Sequence, residues 1–242
     1  MIPTSSTWHS ATVLGIRQET PTVKTLVLQL PNEVRHLSGQ HYEIRLTASD
    51  GYQAARLYSA ASAAHGDTQL ELTVQLVEGG EVSPYLFHDV QTGDQLEVRG
   101  PLGKFFVWQP VDSEPILMIG GGSGVVPFRC ILQAHQQAGS TAPMQLIYSA
   151  RSYGDIIYKD ELLRSPMALI TLTHDWPDDW PGHRGLIDAG LLRETVGRLP
   201  SGALCYVCGR TPFVEVMNQL LLDLGLPPAR IKAERFGALA PG

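Results

Sequence analysis

The sequence is poor in cysteine, in long apolar runs and in surplus positive charge, and each shortage removes a class of function. Three cysteines in 242 residues cannot furnish a four-thiolate iron–sulfur site within this chain. Two of them, Cys205 and Cys208, form a C-x-x-C, but "ALCYVCG" reads as a buried strand. Residues three apart on a strand point to opposite faces, so a shared metal or disulfide is not expected and both are read as structural. No apolar stretch approaches the roughly 18 residues of a membrane-spanning helix. The start, "MIPTSSTWHSATV", has neither the positive nor the apolar region of a secretory signal. A cytoplasmic protein without membrane insertion is therefore expected. Lys and Arg total 18 against 24 Asp and Glu, a formal charge of −6 with no basic run, which argues against nucleic acid as the main partner. The eight histidines are scattered without metal-ligand spacing and are read as surface or structural. No repeat or low-complexity tract occurs.

What is present fits an ordinary globular chain, 43% hydrophobic and 17% charged, long enough for one large or two small domains. Its character changes near residue 110. Before that point short alternating stretches dominate, "TWHSATVLGI", "VKTLVLQL", "HYEIRLT", "LELTVQLV" and "DQLEVRG", and such spacing predicts an all-β sandwich or barrel. After "QPVDSEP", apolar strands alternate with helices: strands at 116–120, 144–148, 168–173, 204–208 and 230–236, with helices to about 138, near 159–164, near 188–198 and at 212–224. That alternation predicts a parallel sheet covered on both faces.

The stretch "ILMIGGGSGVVPFRCIL", residues 116–132, reads as a buried strand, a tight turn and a helix. Gly120, Gly121, Gly122 and Gly124 allow a sharp bend and a close backbone approach. Pro127 is tolerable only in the first helical turn, whose free N–H groups make an anion site. It is not the usual dinucleotide fingerprint: counting G-x-G-x-x-G from Gly122 puts Pro127 at the last glycine, and no Asp or Glu occurs from Pro115 to Gly154 to hold a ribose. A phosphate cradle and a turn built for close packing both remain open.

The first half carries its own motif. In "ARLYSAAS", Arg56 and Tyr58 share one face of an extended strand while Ser59 points across. A guanidinium can hold a phosphate bidentately, a tyrosine on the same face can stack on a planar ring, and the hydroxyl can donate to a ring nitrogen. Downstream, "VEGGEVSPYL" places Ser83 and Pro84 at the opening of a second helix, another candidate phosphate site.

Taken together, "RLYSAAS", "GGEVSPYL", "GDQLEVRGPLGKFFVW", "IGGGSGVVPF", "YSARSYGDIIYKDEL", "YVCGRTPFVEVM" and "AERFG" resemble the ferredoxin–NADP reductase superfamily, in order and over nearly the whole chain. The nearest branch consists of stand-alone bacterial proteins with a Glu-Arg-Phe-Gly terminus. The resemblance implies an antiparallel β-barrel that binds FAD, FMN being the lesser alternative, over residues 1–110, and an α/β parallel-sheet domain that binds NAD(P) over 111–242. It implies that Arg56 and Ser83, with the backbone near Gly80 and Val82, hold the flavin phosphates. Tyr58 would stack on the flavin, Ser59 would sit near its N5 atom, and Val74 and Leu76 would line the ribityl chain and ring. Gly121, Gly122 and Gly124 would face the nicotinamide nucleotide's phosphates, with Cys208 and Gly209 beside the nicotinamide and Glu234 close to the reacting rings. Ser59, Cys208 and Glu234 are thus the implied catalytic residues. Phe236 would cover the flavin face that nicotinamide must reach, its alternative being an anchor for the last strand, and "GALAPG" would form a flexible tail.

The implied activity is oxidation of NAD(P)H by bound FAD, with electrons leaving singly to a ferredoxin-like or other redox protein. A flavin reductase that releases reduced flavin and an electron-transfer subunit of a larger complex are the alternatives. The coenzyme signals conflict. Ser149 and Arg151, read as following the domain's second strand, favour the 2′-phosphate of NADPH, whereas His174 and Asp175 end the next strand with a carboxylate. A modest preference is expected. Arg210 departs from the branch, which usually has proline after the Cys-Gly element.

Overall fold

The computed structural model describes residues 2–237. Two compact units are present. The first comprises the chain up to Gln109 together with Arg129–Gln137, and the second comprises Pro110–Phe128 and the chain from Ala138 onward.

In the first unit, strands β1 (Trp8–Thr20), β2 (Val23–Gln29), β3 (His41–Thr47), β4 (Gln53–Ser59), β5 (Gln69–Gln75) and β6 (Gln95–Leu102) form an antiparallel sheet in the order β4-β3-β6-β1-β2-β5. A bridge between Ala60 and Leu72 joins the two edges, and the sheet closes into the expected barrel. Closure satisfies backbone groups that an open edge would leave exposed. The alternating residues Leu26 and Leu28, Leu70 and Leu72, Tyr42 and Ile44, and Leu96 and Val98 fill its interior, as period-2 patterning requires. β1 serves two neighbours, pairing with β6 through Trp8–Thr12 and with β2 from Thr12 onward. An irregularity between Val13 and Gly15 marks the changeover, which bends the strand. A short helix, α1 (Ser83–His88), follows β5.

The second unit is built on a parallel sheet. Strands β7 (Ile116–Gly121), β8 (Met144–Ser152), β9 (Ala168–Asp175), β10 (His183–Arg184), β11 (Leu204–Arg210) and β12 (Ile231–Phe236) lie in the order β10-β9-β8-β7-β11-β12. Its helices are α3 (Lys159–Arg164), α4 (Ala189–Arg198) and α5 (Thr211–Asp223), together with the first residues of α2 (Val126–Gln137), whose remainder from Arg129 belongs to the first unit. One sheet face buries Leu117, Ile119, Ile147, Cys205 and Val207 in one cluster with Leu191 and Leu192 of α4 and Val214, Met217 and Leu221 of α5. Asp188 caps α4 by accepting the Leu191 N–H at 2.8 Å, a contact worth about 1 kcal/mol.

Differences from the sequence reading are local. β8 runs to Ser152, so Ser149 and Arg151 lie inside the strand and do not follow it. Parallel pairing of Ser149 with Gly121 on one side and Thr171 on the other keeps the backbone extended. The two-residue β10 has too short a pattern to be read from sequence. Ser83 opens α1 but does not cap it: its hydroxyl accepts the Val77 N–H at 3.1 Å. Among the described residues no helix is long and apolar enough to cross a membrane. Most of the "GALAPG" tail lies outside the described residues.

Candidate functional site

The barrel's share of the site is strand β4 and the loop before α1. Register sets the faces: Arg56 lies opposite Ile44, Tyr58 opposite Tyr42 and Ser59 opposite His41. Arg56 and Tyr58 therefore share the face that carries the core residues Tyr42 and Ile44, and Ser59 turns to the other. Arg56 is exposed, while Tyr58 and Ser59 are half-buried. Burial pushes the Tyr58 phenol up, with Arg56 opposing in part, so the ring stays neutral.

The stretch after Ser59 is pinned by contacts that sequence reasoning missed. Ala61 N–H donates to the Glu71 carbonyl at 2.9 Å, and Glu71 N–H donates to Ser62 Oγ at 3.2 Å. Arg129 Nη1 donates to the Ala61 carbonyl at 2.9 Å and pairs with Glu71 at 2.7 Å. An arginine next to the apolar run after Pro127 was the available signal.

Val74 and Val82 are fully buried in the barrel core. Leu76 is half-buried. Gly80 N–H donates to the Val77 carbonyl at 3.0 Å. Arg56 pairs with Glu81 at 2.7 Å, a partner that sequence reasoning also missed. A cavity of about 180 Å³ lined by His9, Asn32, Tyr42 and Pro101 contains none of these residues.

In the second unit the sheet order reverses between β7 and β11, because the chain runs outward through β8, β9 and β10 before returning to β11. Ligands of open parallel sheets bind at such a reversal, beyond the carboxyl ends of the strands. There the glycine turn meets the Cys-Gly element. A Cβ on Gly124 would fall 2.1 Å from the Cys208 carbonyl oxygen and 2.8 Å from the Gly209 nitrogen. Cβ atoms on Gly121 and Gly209 would fall 2.9 and 2.6 Å from the ring of Phe213. Close packing thus accounts for these three glycines. Gly122 differs: its φ is +54° and nothing lies within 4 Å of its Cβ direction, so open space adjoins the turn. Phe213, which dictates two of the glycines, was missed; its signal was a lone aromatic one turn after Gly209.

Cys208 lies beside Gly120 on one side and Glu234 on the other. Burial, then the neighbouring Glu234, pushes the Cys208 thiol well up, so it is a neutral thiol and not a nucleophile. Burial raises the Glu234 carboxyl to about 7. It can therefore hold or release a proton near neutral pH. Phe236 ends β12 opposite Arg210 and is half-buried. Ser149 is half-buried and Arg151 exposed, while His174 and Asp175 are exposed at the end of β9, Asp175 lying opposite Ser152.

The residues fit two nucleotides. In the barrel, a half-exposed guanidinium, a ring on the same strand face and an adjacent hydroxyl form a donor set suited to a phosphorylated flavin. In the sheet, the open space at Gly122 beside the switch point suits a nicotinamide nucleotide.

Comparison with known proteins agrees. Residues 10–107 match the family described as "Oxidoreductase FAD-binding domain" and residues 118–219 "Oxidoreductase NAD-binding domain". The chain is 33% identical to ferredoxin–NADP reductase B of Sorangium cellulosum, over 93% of this chain and 96% of that protein. It is 30% identical to the ferredoxin–NAD(P)(+) reductase component of the naphthalene 1,2-dioxygenase/salicylate 5-hydroxylase systems of Ralstonia, covering 93% of this chain and 68% of that protein. The Amycolatopsis cytochrome P450 reductase GcoB has a similar structure, with a TM-score of 0.82 and 27% identity over 98% of this chain and 71% of that one. The two family matches together span most of the sequence, and the chain belongs to the ferredoxin–NADP reductase superfamily, as an oxidoreductase that binds FAD and NAD(P).

Proposed function

We propose that this flavoprotein oxidises NADH or NADPH and passes the electrons, one at a time, to a separate redox protein, a ferredoxin or the electron-accepting component of an oxygenase. The observation that carries the reading is the pairing, in one chain, of the Arg56–Tyr58–Ser59 strand with a parallel-sheet switch point where Gly124 packs against Cys208 and Gly209. FAD, when bound, supplies the conversion from two-electron to one-electron transfer.

The chain's own residues bind, orient and exclude. Arg56 holds phosphate, Tyr58 stacks on the flavin with its phenol neutral, and the Ser59 hydroxyl donates toward N5. Ser83, with the backbone at Gly80 and Val82, completes the phosphate contacts, and Val74 and Leu76 line the flavin. The backbone of the turn at Gly121, Gly122 and Gly124 faces the nicotinamide nucleotide's phosphates, with open space at Gly122. Cys208, as a neutral thiol, and Gly209 lie beside the nicotinamide and keep water out. Glu234, titrating near 7, keeps a proton available to the reacting groups. Phe236 covers the flavin face. Ser149 and Arg151 contact the coenzyme's ribose end, and the exposed carboxylate of Asp175 limits the preference for the 2′-phosphate, so the kcat/KM ratio between NADPH and NADH stays within about 100-fold, or about 2.7 kcal/mol.

A partner of the ferredoxin type is supported by the names of the Sorangium and Ralstonia relatives. Cytoplasmic residence is supported by the thiols of Cys130, Cys205 and Cys208, all free and buried. A second reading, release of reduced flavin as product, is favoured by the exposure of Arg56 and its engagement by Glu81. The visible spectrum of the purified chain, followed by anaerobic titration with NADH and NADPH and turnover with ferricyanide, tests the proposal. Bound yellow flavin, bleached by either coenzyme and reoxidised by a one-electron acceptor, is expected. A colourless protein that turns over added riboflavin with saturation would replace the first reading by the second.

A further inference from the structure

Arg56, Gly80 and Ser83, proposed to hold the flavin phosphates, already have partners within the chain. Arg56 Nη2 donates to Glu81 Oε2 at 2.7 Å, and Nη1 donates to the Ala55 carbonyl at 2.8 Å. Gly80 N–H donates to the Val77 carbonyl, and Ser83 Oγ accepts the Val77 N–H. The loop from Val77 to Ser83 is thereby closed on itself, and Glu81, between Gly80 and Val82, lays its carboxylate on the guanidinium. Tyr52 donates its O–H to the other carboxylate oxygen, Oε1, at 2.5 Å. Both carboxylate oxygens are engaged, and the direction of the group is set. The hydrogen bond from Tyr52, then that from Arg56, holds the Glu81 carboxyl below its usual range, so it is an anion at neutral pH.

Carboxylates and phosphates are matched by the same guanidinium fork. We propose that Glu81 is a built-in competitor for the flavin phosphate, so that binding exchanges Glu81 for phosphate on Arg56 and disfavours FMN more than FAD. The discrimination follows from charge. The terminal phosphate of FMN is a monoester carrying close to two negative charges at neutral pH, whereas each phosphate of FAD carries one. Repulsion from a carboxylate in the same pocket scales with that charge. Riboflavin has no phosphate and does not enter the exchange. The inference rests on the Arg56 reading given above. It assigns Glu81 and Tyr52 a part in flavin choice that is separate from stacking or hydride transfer.

The test is calorimetric titration of the full chain, freed of flavin, with riboflavin, FMN and FAD, for the parent, Glu81→Gln, Arg56→Ala and the double variant. Arg56 and Glu81 side chains are 52% and 47% exposed, so these changes leave the core intact, which far-UV circular dichroism verifies. Glu81→Gln is expected to tighten FMN by about two- to fivefold, the span of an exposed ion pair, to tighten FAD by less and to leave riboflavin unchanged. In the Arg56→Ala background its gain on FMN shrinks. If Arg56→Ala weakens FMN relative to riboflavin while Glu81→Gln leaves FMN unchanged or weaker, the competitor role is overturned and the Arg56 reading stands. Equal tightening of riboflavin and FMN by Glu81→Gln overturns it as well. If Arg56→Ala treats FMN and riboflavin alike, the Arg56 reading falls and the competitor role falls with it.

Discussion

Replacing Gly124 by alanine tests whether the glycine turn is shaped by packing. The added Cβ would meet the Cys208 carbonyl oxygen at 2.1 Å and its carbon at 2.5 Å, where ordinary contact begins at 3.4 Å. The two backbones must separate by about 1.3 Å to make room. Neither side can give cheaply, because β11 is a central strand paired on both flanks, with β7 and with β12. Overpacking of a rigid site costs about 1–3 kcal/mol and sometimes more, so a loss of about 3 kcal/mol is expected. For a chain of this size that corresponds to a fall in Tm of roughly 6–12 °C. Gly122→Ala is the control. Its φ of +54° strains an alanine, but nothing lies within 4 Å, so the cost is only about 1–2 kcal/mol. Thermal melting of both variants by circular dichroism, with coenzyme titration beside it, reads the contrast. A Gly124→Ala protein that melts within about 2 °C of the parent, or that is hardier than Gly122→Ala, would refute the packing account.

Three further outcomes are expected. Ser59→Ala keeps flavin bound but slows its reduction by NAD(P)H about tenfold, a loss of about 1.4 kcal/mol; equal rates in stopped flow would remove Ser59 from the mechanism. Arg151→Ala lowers kcat/KM for NADPH about tenfold while sparing NADH, and steady-state kinetics showing equal losses would make Arg151 an ordinary surface residue. Glu234, raised to about 7 by burial, binds more protons folded than unfolded between its ordinary pKa and 7, so its contribution is fully present at acid pH and is lost as pH rises through 7. The loss reaches up to about 3 kcal/mol. Urea unfolding at pH 5 and pH 8 should show Glu234→Gln gaining on the parent at the higher pH, and a constant difference would contradict the shift.

The class of each half of the fold was legible in its local periodicity. Alternating runs such as "HYEIRLT" and the continuous run Ile116–Ile119 follow the two periodicities of exposed-face and doubly covered strands, and both became the strands they predicted. Pro127 marked the first turn of a helix because its missing N–H is harmless only there. The grouping of Arg56, Tyr58 and Ser59 was equally legible, since side-chain direction on a strand follows from spacing alone. Tertiary structure decided everything that depends on partners distant in the chain. The reason for Gly124 is the backbone of Cys208, and the reason for Gly121 and Gly209 is Phe213; no local pattern contains those contacts. Ser149 joined β8 because strands on both sides pair with it, and Arg151 because β9 pairs with Ala150 and Ser152 on either side of it. Glu81 could be read as one more loop carboxylate until the fold laid it on Arg56, 25 residues away. Local geometry is written in neighbouring residues, whereas charge pairing and close approach are set by which strands the closed barrel and the reversed sheet bring together.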